Sequence, residues 1–289
     1  DEGLALMLCA GNEGGDYTYV NKTIAPGETF DLGFFPTIDE QASAFCCLTT
    51  AKRVKMKMSM YDKVKKKELY RLPVMAESDD EHNQEIYYDM ADADDSSLTL
   101  KERLVYKNLK NYMKEGLIYA ACYKSIGYDK NDKEYDCTYV ELIHQDVKWS
   151  DDAYTDDGKF RYSFMLHLIP TEETELHSWG DYYDLFYYDE TGKLENGSPA
   201  LSVGDWNTSG EPVSVGAWVA NNKLQEEGDT VRVSKEDIGS ISWFSSYGTD
   251  LAGHKHPDVC APGSFVAGAY SSFIQDNTDD YNVYVRKDY

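Results

Sequence analysis

The segment SWFSSYGTDLAGHKHPDVCAPG, residues 242–263, decides how the rest of the chain is interpreted. It is rich in small residues, and its short apolar runs are broken by glycine and proline. The same composition occurs in VSVGAWVA, residues 213–220, and in FVAGAYSSF, residues 265–273. Continuous runs of this kind are typical of strands that are buried on both faces of a parallel sheet. The last part of the chain is therefore predicted to contribute strands to such a sheet.

The beginning of the chain has a similar pattern. An apolar run at residues 4–9 is followed by AGNEGG, residues 10–15, which predicts a buried strand that ends in a glycine turn. Between these ends the sequence changes to many short alternating runs with turn signals, which favours a β-sandwich. Two domains are thus predicted: residues 1–15 together with 206–289, and an inserted sandwich over residues 16–205.

Two segments of the predicted insert are informative about local structure. In KRVKMKMSMYDK, residues 52–63, Val and Met alternate with Arg and Lys, which predicts a half-buried strand with Met58 inside and Lys57 outside. One helix is predicted near residues 98–115, where Leu100, Leu104 and Leu109 lie close to helical spacing and Ser97 or Thr99 can cap the start.

The formal net charge of -24 limits the partners that this chain can have. Nucleic acid and anionic membrane surfaces would be repelled, whereas basic peptides and divalent cations would be attracted. No apolar run reaches the roughly 18 residues of a membrane-spanning helix. The acidic stretch MADADDSS, residues 90–97, makes calcium the one cofactor to consider. Because it lacks the spaced acidic pattern of a calcium loop, a solvated loop is favoured.

The six cysteines show no zinc-binding spacing. Cys46 and Cys47 are adjacent in a predicted strand, so their side chains should point to opposite faces and form a poor disulfide. Cys122 and Cys137 flank a hairpin-like loop, where either a disulfide or two buried free thiols fit the pattern.

Three segments, LMLCAGNEGG (6–15), VSVGAWVA (213–220) and the opening segment (242–263), resemble the subtilisin-like serine peptidase (subtilase) family. They match, in the family's order, its A-G-N-x-G turn, its V-G-A strand and its F-S-S-x-G…K-P-D-V-x-A-P-G segment. The resemblance covers about the first 15 and the last 80 residues. It implies an α/β fold class, with a partial subtilisin-like parallel sheet and a large inserted, mainly-β, jelly-roll-like sandwich.

The resemblance also implies roles for four residues. Asn12 would donate its carboxamide to the oxyanion of an acyl-transfer transition state. Ala10 and Gly11 would form one wall of the substrate pocket, and Glu13 would lie near that pocket, where its charge would favour basic substrate residues. The implied substrate is a protein or peptide, the implied location is secreted or on a bacterial cell surface, and no metal site is implied.

The family's catalytic motifs are not found in the sequence. No segment matches the aspartate, histidine or G-T-S-M-A serine motifs, and DETG at Asp189 is better interpreted as a turn. The resemblance therefore implies a fragment of a peptidase, which is not expected to hydrolyse peptide bonds alone. The rest of the peptidase chain is then a candidate partner.

A competing interpretation is a non-catalytic β-sandwich binding module of a pseudo-enzyme. HSWGDYYDLFYYDE, residues 177–190, places Tyr182 and Tyr187 among carboxylates, where exposed aromatic rings could bind a glycan or peptide. The alternative is that these aromatics fill the sandwich core. His254 and His256 flank a lysine in a turn, and a structural role is favoured for both over a catalytic or metal-binding one.

Overall fold

The structure is a computed structural model that describes residues 6–38, 41–129, 131, 133–203, 212–225, 231–264 and 266. The described residues fall into two compact units. The larger unit takes its residues from 16–199 and 251–253, and the smaller from 1–15, 200–250 and 254–289. The predicted domain boundary at 205/206 and most of FVAGAYSSF lie outside the described residues.

The larger unit contains two antiparallel sheets of six strands each, and the alternation of apolar residues along its strands is typical of such sheets. The strands of the first sheet are, in spatial order, β13 (Leu194–Asn196), β12 (Tyr183–Tyr188), β3 (Phe30–Pro36), β10 (Tyr162–Pro170), β5 (Val54–Asp62) and β6 (Lys67–Glu77). Those of the second sheet are β2 (Tyr19–Ile24), β11 (Thr174–Asp181), β4 (Ala42–Thr49), β9 (Glu134–Trp149), β8 (Met113–Tyr128) and β7 (Glu85–Asp89).

One hydrophobic core lies between these sheets, because both contribute the apolar residues of alternate positions to it. The predicted alternation along β5 is confirmed. Val54, Met56, Met58 and Met60 are fully buried in this core, whereas Lys57 is half-exposed. Strand β5 pairs with β10 on one side and β6 on the other, so it is an interior strand of its sheet.

The larger unit also holds the helix α1 (Leu100–Leu109) and short 3-10 helices at Met90–Asp94 and Asp151–Ala153. Thr99 caps α1 as predicted, in a capping box with Glu102. The helix is shorter than the predicted stretch because the chain turns and enters β8 at Met113. Its predicted apolar face was wrong in part: Leu100 is 87% and Leu104 58% exposed, and the buried side is formed by Val105, Tyr106 and Leu109.

The smaller unit is built on three short parallel strands, β1 (Met7–Cys9), β14 (Val213–Val219) and β19 (Val259–Ser264), with β14 in the middle. Two small antiparallel pairs accompany them: β15 (Lys223–Gln225) with β16 (Val231–Val233), and β17 (Gly248–Thr249) with β18 (Lys255–His256). The parallel strands coincide with the three sequence segments singled out above.

The predicted α/β fold class is nevertheless wrong. Within the described residues the protein is mainly β, most of its sheet is antiparallel, and the single α-helix belongs to the larger unit. An α/β sheet needs helices on both faces to bury its strands. Here Met7 of β1 is 68% exposed and Val259 of β19 is 50% exposed. The small-residue composition therefore predicted a degree of burial that these strands do not have.

All six cysteines lie in described residues, and none of them forms a disulfide. Cys46 lies in the core and Cys47 on the opposite face of β4, as predicted. Cys122 also lies in the core, whereas Cys137 pairs with Ser125 and faces the other side of the sheet. The two therefore cannot form the disulfide that the loop had suggested. No helix in the described part of the chain is long and apolar enough to cross a membrane.

The buried Met58 gives a test of this core. Met58→Ala should lower the free energy of unfolding by about 2–5 kcal/mol, because it leaves a cavity at a fully buried position. Lys57→Ala, on the opposite face of the same strand, should change it by no more than about 0.5 kcal/mol. Urea unfolding followed by circular dichroism would measure both, and equal effects would contradict the assigned faces.

Candidate functional site

The turn that follows β1 is held by the segment that precedes β17. The Ala10 backbone N–H donates to the carbonyl of Val215 in β14 at 2.9 Å, and the Gly14 N–H donates to the carbonyl of Phe244 at 2.9 Å. Between these bonds, the N–H of Ser246 donates to the carbonyl of Gly11 at 3.2 Å. The first and third resembling segments, far apart in sequence, therefore form one local structure.

The glycines of this turn are explained by how closely the two segments approach. A Cβ at Gly14 would lie 2.2 Å from the backbone oxygen of Ser245, which no side chain can tolerate. Gly11 has a φ of +117°, and a Cβ there would lie 2.7 Å from Oγ of Ser246. Gly14 therefore needs glycine because the Ser245 backbone lies so close, and Gly11 needs it because of its positive φ and the nearby Ser246 side chain.

The four predicted site residues all lie on this turn, in different environments. Asn12 is exposed at its tip, Gly11 and Glu13 are half-buried, and Ala10 is fully buried. The Glu13 N–H donates to Oγ of Ser246 at 3.0 Å, and that hydroxyl donates to the Glu13 carboxylate at 3.2 Å. Oxyanion binding by Asn12 and substrate contacts by the other three stay predictions.

A serine, a histidine and an aspartate meet in the same unit, a contact that no sequence motif had predicted. Oγ of Ser214 in β14 lies 2.9 Å from Nδ1 of His256, and Nε2 of His256 lies 3.2 Å from Oδ2 of Asp250. These are the residue types of a serine-protease triad. A serine in the middle of the apolar run VSVGA is the signal that could have drawn attention to it.

The hydrogen bonds of Ser214 show that its hydroxyl is not an available nucleophile. The side chain is fully buried, and its hydroxyl donates to Oδ2 of Asp258 at 2.6 Å while it accepts from the Asp258 N–H at 3.0 Å. A nucleophile must reach the substrate and give its proton to the histidine. This arrangement instead ties the turn between β18 and β19 to β14.

Asp250 is the electrostatic centre of that arrangement. Its burial alone would raise the pKa of its carboxyl group. The backbone N–H of His254, which donates at 2.8 Å, and the rings of His256 and His254 more than offset this, so the pKa lies below its ordinary value. The structure thus gives both histidines of the turn hydrogen-bonding roles.

The four remaining histidines belong to the larger unit; His82 is exposed, and the other three are buried in hydrogen-bonded positions. His177 bonds the Tyr19 hydroxyl at 2.7 Å, His167 bonds Ser59 and Asp31, and His144 bonds the hydroxyl of Tyr183. Throughout the described ranges, no group of three or more His, Cys, Asp or Glu side chains could hold a metal ion.

The aromatic stretch at residues 177–190 is largely used for packing. Tyr183 and Phe186 are fully buried, and Tyr187 stacks on Phe30 with ring centres 5.8 Å apart. Only Tyr182, which is 55% exposed, projects into solvent as the binding-module interpretation requires. A single exposed ring does not make an aromatic platform, so this stretch no longer supports that interpretation.

Comparisons with known proteins give a distant structural likeness. No family model matches the chain, and no curated protein matches it. Among solved structures it is similar to one described as the Clostridium perfringens CspB protease, with 14% sequence identity and a TM-score of 0.44. That similarity covers 90% of this chain and 41% of the CspB chain, so this chain spans well under half of its neighbour.

The glycine turn gives a first test of the site. Gly14→Ala should separate the turn from the Phe244–Ser246 segment, because its Cβ cannot fit beside Ser245. Hydrogen exchange of the Ala10, Gly14 and Ser246 amides should then become faster by at least about tenfold. Asn12→Ala removes only an exposed side chain and should leave these rates unchanged. Unchanged exchange in the Gly14 variant would contradict the described contact.

The lowered pKa of Asp250 predicts how the smaller unit responds to acid. Because the folded-state pKa lies below 3.8, the carboxylate stabilises the fold above that pH, and the effect is lost as the pH falls through the folded value. Asp250→Asn should therefore destabilise this unit by about 1–3 kcal/mol at pH 7 and by less near pH 3, which lies below the ordinary pKa of the carboxyl group. Hydrogen exchange at both pH values measures this, with the exposed Asp237→Asn as control. A difference that does not depend on pH would contradict it.

Proposed function

We propose that this chain is a segment of a subtilisin-like serine endopeptidase that is secreted or displayed at a bacterial cell surface. In this proposal Asn12 donates its carboxamide to the developing oxyanion. Ala10, Gly11 and Glu13 line the side of the pocket that receives a protein or peptide substrate. Residues 16–205 form an accessory β domain.

One observation carries the proposal: the Ala10–Gly14 turn is hydrogen-bonded to the Phe244–Ser246 segment beside β14. The three segments that resemble the peptidase family are thus neighbours in space as well as ordered in sequence. The exposed position of Asn12 at the tip of the turn supports the proposed role, because an oxyanion donor must be accessible to the substrate.

The chain alone does not provide the remaining catalytic groups. No sequence motif supplies an activated serine. Two serines lie beside histidines: Ser214 is buried and engaged with Asp258, and Ser59, beside His167, is also fully buried. In this proposal the nucleophile and its base come from the rest of the peptidase chain, which is the partner expected for the exposed parallel strands. The 289-residue chain should therefore not hydrolyse a peptide ester.

The coding sequence on either side of this chain is the direct test of the proposal. We expect aspartate and histidine motifs before residue 1 and a G-T-S-M motif after residue 289. A stop codon directly after Tyr289, or extensions without these motifs, would contradict the peptidase assignment. Turnover of a peptide ester by the 289-residue chain, abolished by a serine-directed inhibitor, would contradict the assignment of catalytic groups to other segments.

Asn12 can be tested in the longer protein. Asn12→Ala should lower kcat for a peptide substrate by about 10²–10³-fold with little change in KM, because the lost hydrogen bond acts mainly in the transition state. Asn131→Ala, which removes the same side chain from an exposed turn of the larger unit, should leave both constants unchanged. A change in KM alone would assign Asn12 to substrate binding instead.

A further inference from the structure

The carboxylate of Glu236 joins three separate parts of the smaller unit. Its Oε1 accepts from the Ser242 hydroxyl at 2.8 Å and from the Trp243 backbone N–H at 2.9 Å. Its Oε2 accepts from the Ser264 hydroxyl, at the end of β19, at 2.9 Å and from the Ser234 hydroxyl at 3.4 Å. We call Glu236 and these four partners the Glu236 clamp. Glu236 lies outside the three segments that resemble the peptidase family, so the resemblance assigns it no role.

The charge state of Glu236 suits a clamp. Burial alone would raise the pKa of its carboxyl group, but the hydrogen bonds of the clamp more than offset this, so the pKa lies below its ordinary value. The group is therefore a carboxylate at neutral pH, and its roughly four lone-pair positions match the four donors. With these positions filled, Glu236 is an anchor for its neighbours rather than a base or a metal ligand.

The segment next to the clamp carries the glycine turn that contains Asn12. The Phe244 carbonyl, one residue beyond Trp243, accepts from the Gly14 N–H. The Trp243 ring lies directly on the end of the turn, since a Cβ at Gly15 would be 2.8 Å from two of its atoms. A shift of the Trp243 backbone would therefore move a hydrogen-bond acceptor and a packing surface of the turn together.

Strand β14 provides a second support for this segment. The Ser242 N–H donates to the Ala217 carbonyl at 3.0 Å, and the Ala217 N–H donates to Oγ of Ser245 at 2.9 Å. The clamp adds a bond to Trp243, which lies between these two contacts, and links it to β19 through Ser264. Loss of the clamp should consequently loosen the segment without detaching it from β14.

We propose that Glu236 is a positioning residue for Asn12. By fixing Trp243, the clamp sets the place of the Phe244 carbonyl and thereby the orientation of the turn whose tip carries the Asn12 carboxamide. A donor to an oxyanion must be placed accurately, and a misplacement of about 1 Å can cost on the order of a hundredfold in rate. This inference rests on the proposed role of Asn12 as the oxyanion donor, whereas the clamp itself can be tested without it.

The clamp is tested in the 289-residue chain by amide hydrogen exchange. Glu236→Ala should accelerate exchange of the Trp243 and Gly14 amides by at least about tenfold. The Ala10 amide, which bonds β14 instead, should exchange at an unchanged rate. Asp237→Ala, at the exposed neighbouring position, is the matched control and should change none of these rates. Equal acceleration at Ala10, or none at Gly14, would overturn the proposal.

Two milder variants separate the clamp from a general loss of folding. Glu236→Gln keeps an oxygen for the Trp243 N–H, and its NH₂ group can donate to the Ser264 and Ser234 hydroxyls, which can also accept. Its exchange rates should stay within about threefold of those of the unchanged chain. Ser264→Ala removes a single donor and should accelerate Gly14 exchange by about two- to tenfold. A Glu236→Gln effect as large as that of Glu236→Ala would contradict the proposed bonds.

The link to Asn12 is tested in the longer protein with a peptide substrate. Glu236→Ala should lower kcat by about 10- to 100-fold with little change in KM, and Glu236→Gln should keep kcat within about threefold. In an Asn12→Ala background, Glu236→Ala should cause less than about a twofold further loss, because the side chain that it positions is absent. Losses that multiply would overturn the link. An unchanged kcat in Asn12→Ala would overturn the proposed function and this role of Glu236 with it, whereas unchanged exchange in Glu236→Ala would overturn the clamp alone.

Discussion

The structure depends above all on the alternation of side chains along twelve strands. In the larger unit most residues at alternate positions of the central strands are apolar and face one core, so that a shift of pairing by one residue would expose this apolar set. This constraint fixes the register of both sheets. It therefore also fixes which side chains stand together on the outside, where Trp179, Phe45 and Glu141 are brought into line although they come from three separate strands.

How much of the fold could be predicted from the sequence varied with the range of the interaction. The buried Met58 and the Thr99 cap follow from local rules, alternation in a strand and hydrogen bonding at a helix start, and both were predicted correctly. The face of the helix was harder, because which side is buried depends on strands that pack against it. Leu100 and Leu104 are apolar and near helical spacing, yet both point to solvent.

The α/β assignment failed for a related reason. Small residues permit strands to pack closely on both faces, but the packing elements themselves must be present, and no helix covers β1, β14 or β19 among the described residues. The candidate site shows the same difference between local features, which the sequence predicts, and long-range contacts, which it does not. The glycine turn could be recognised from A-G-N-E-G, whereas the contact of Ser214 with His256 joins residues that are 42 positions apart and has no local signature.

The distribution of the cysteines has a practical consequence for experiments on this molecule. Burial raises the pKa of Cys46 and of Cys47 to about 12, so neither thiol should react with alkylating reagents at neutral pH. Cys9 and Cys260 are instead exposed, on the strands that flank β14, opposite Val215 and Gly216 respectively. The native sequence thus offers two accessible attachment points for spin labels about two strand spacings apart. The distance between such labels would report whether the parallel strands are assembled, without any engineered cysteine.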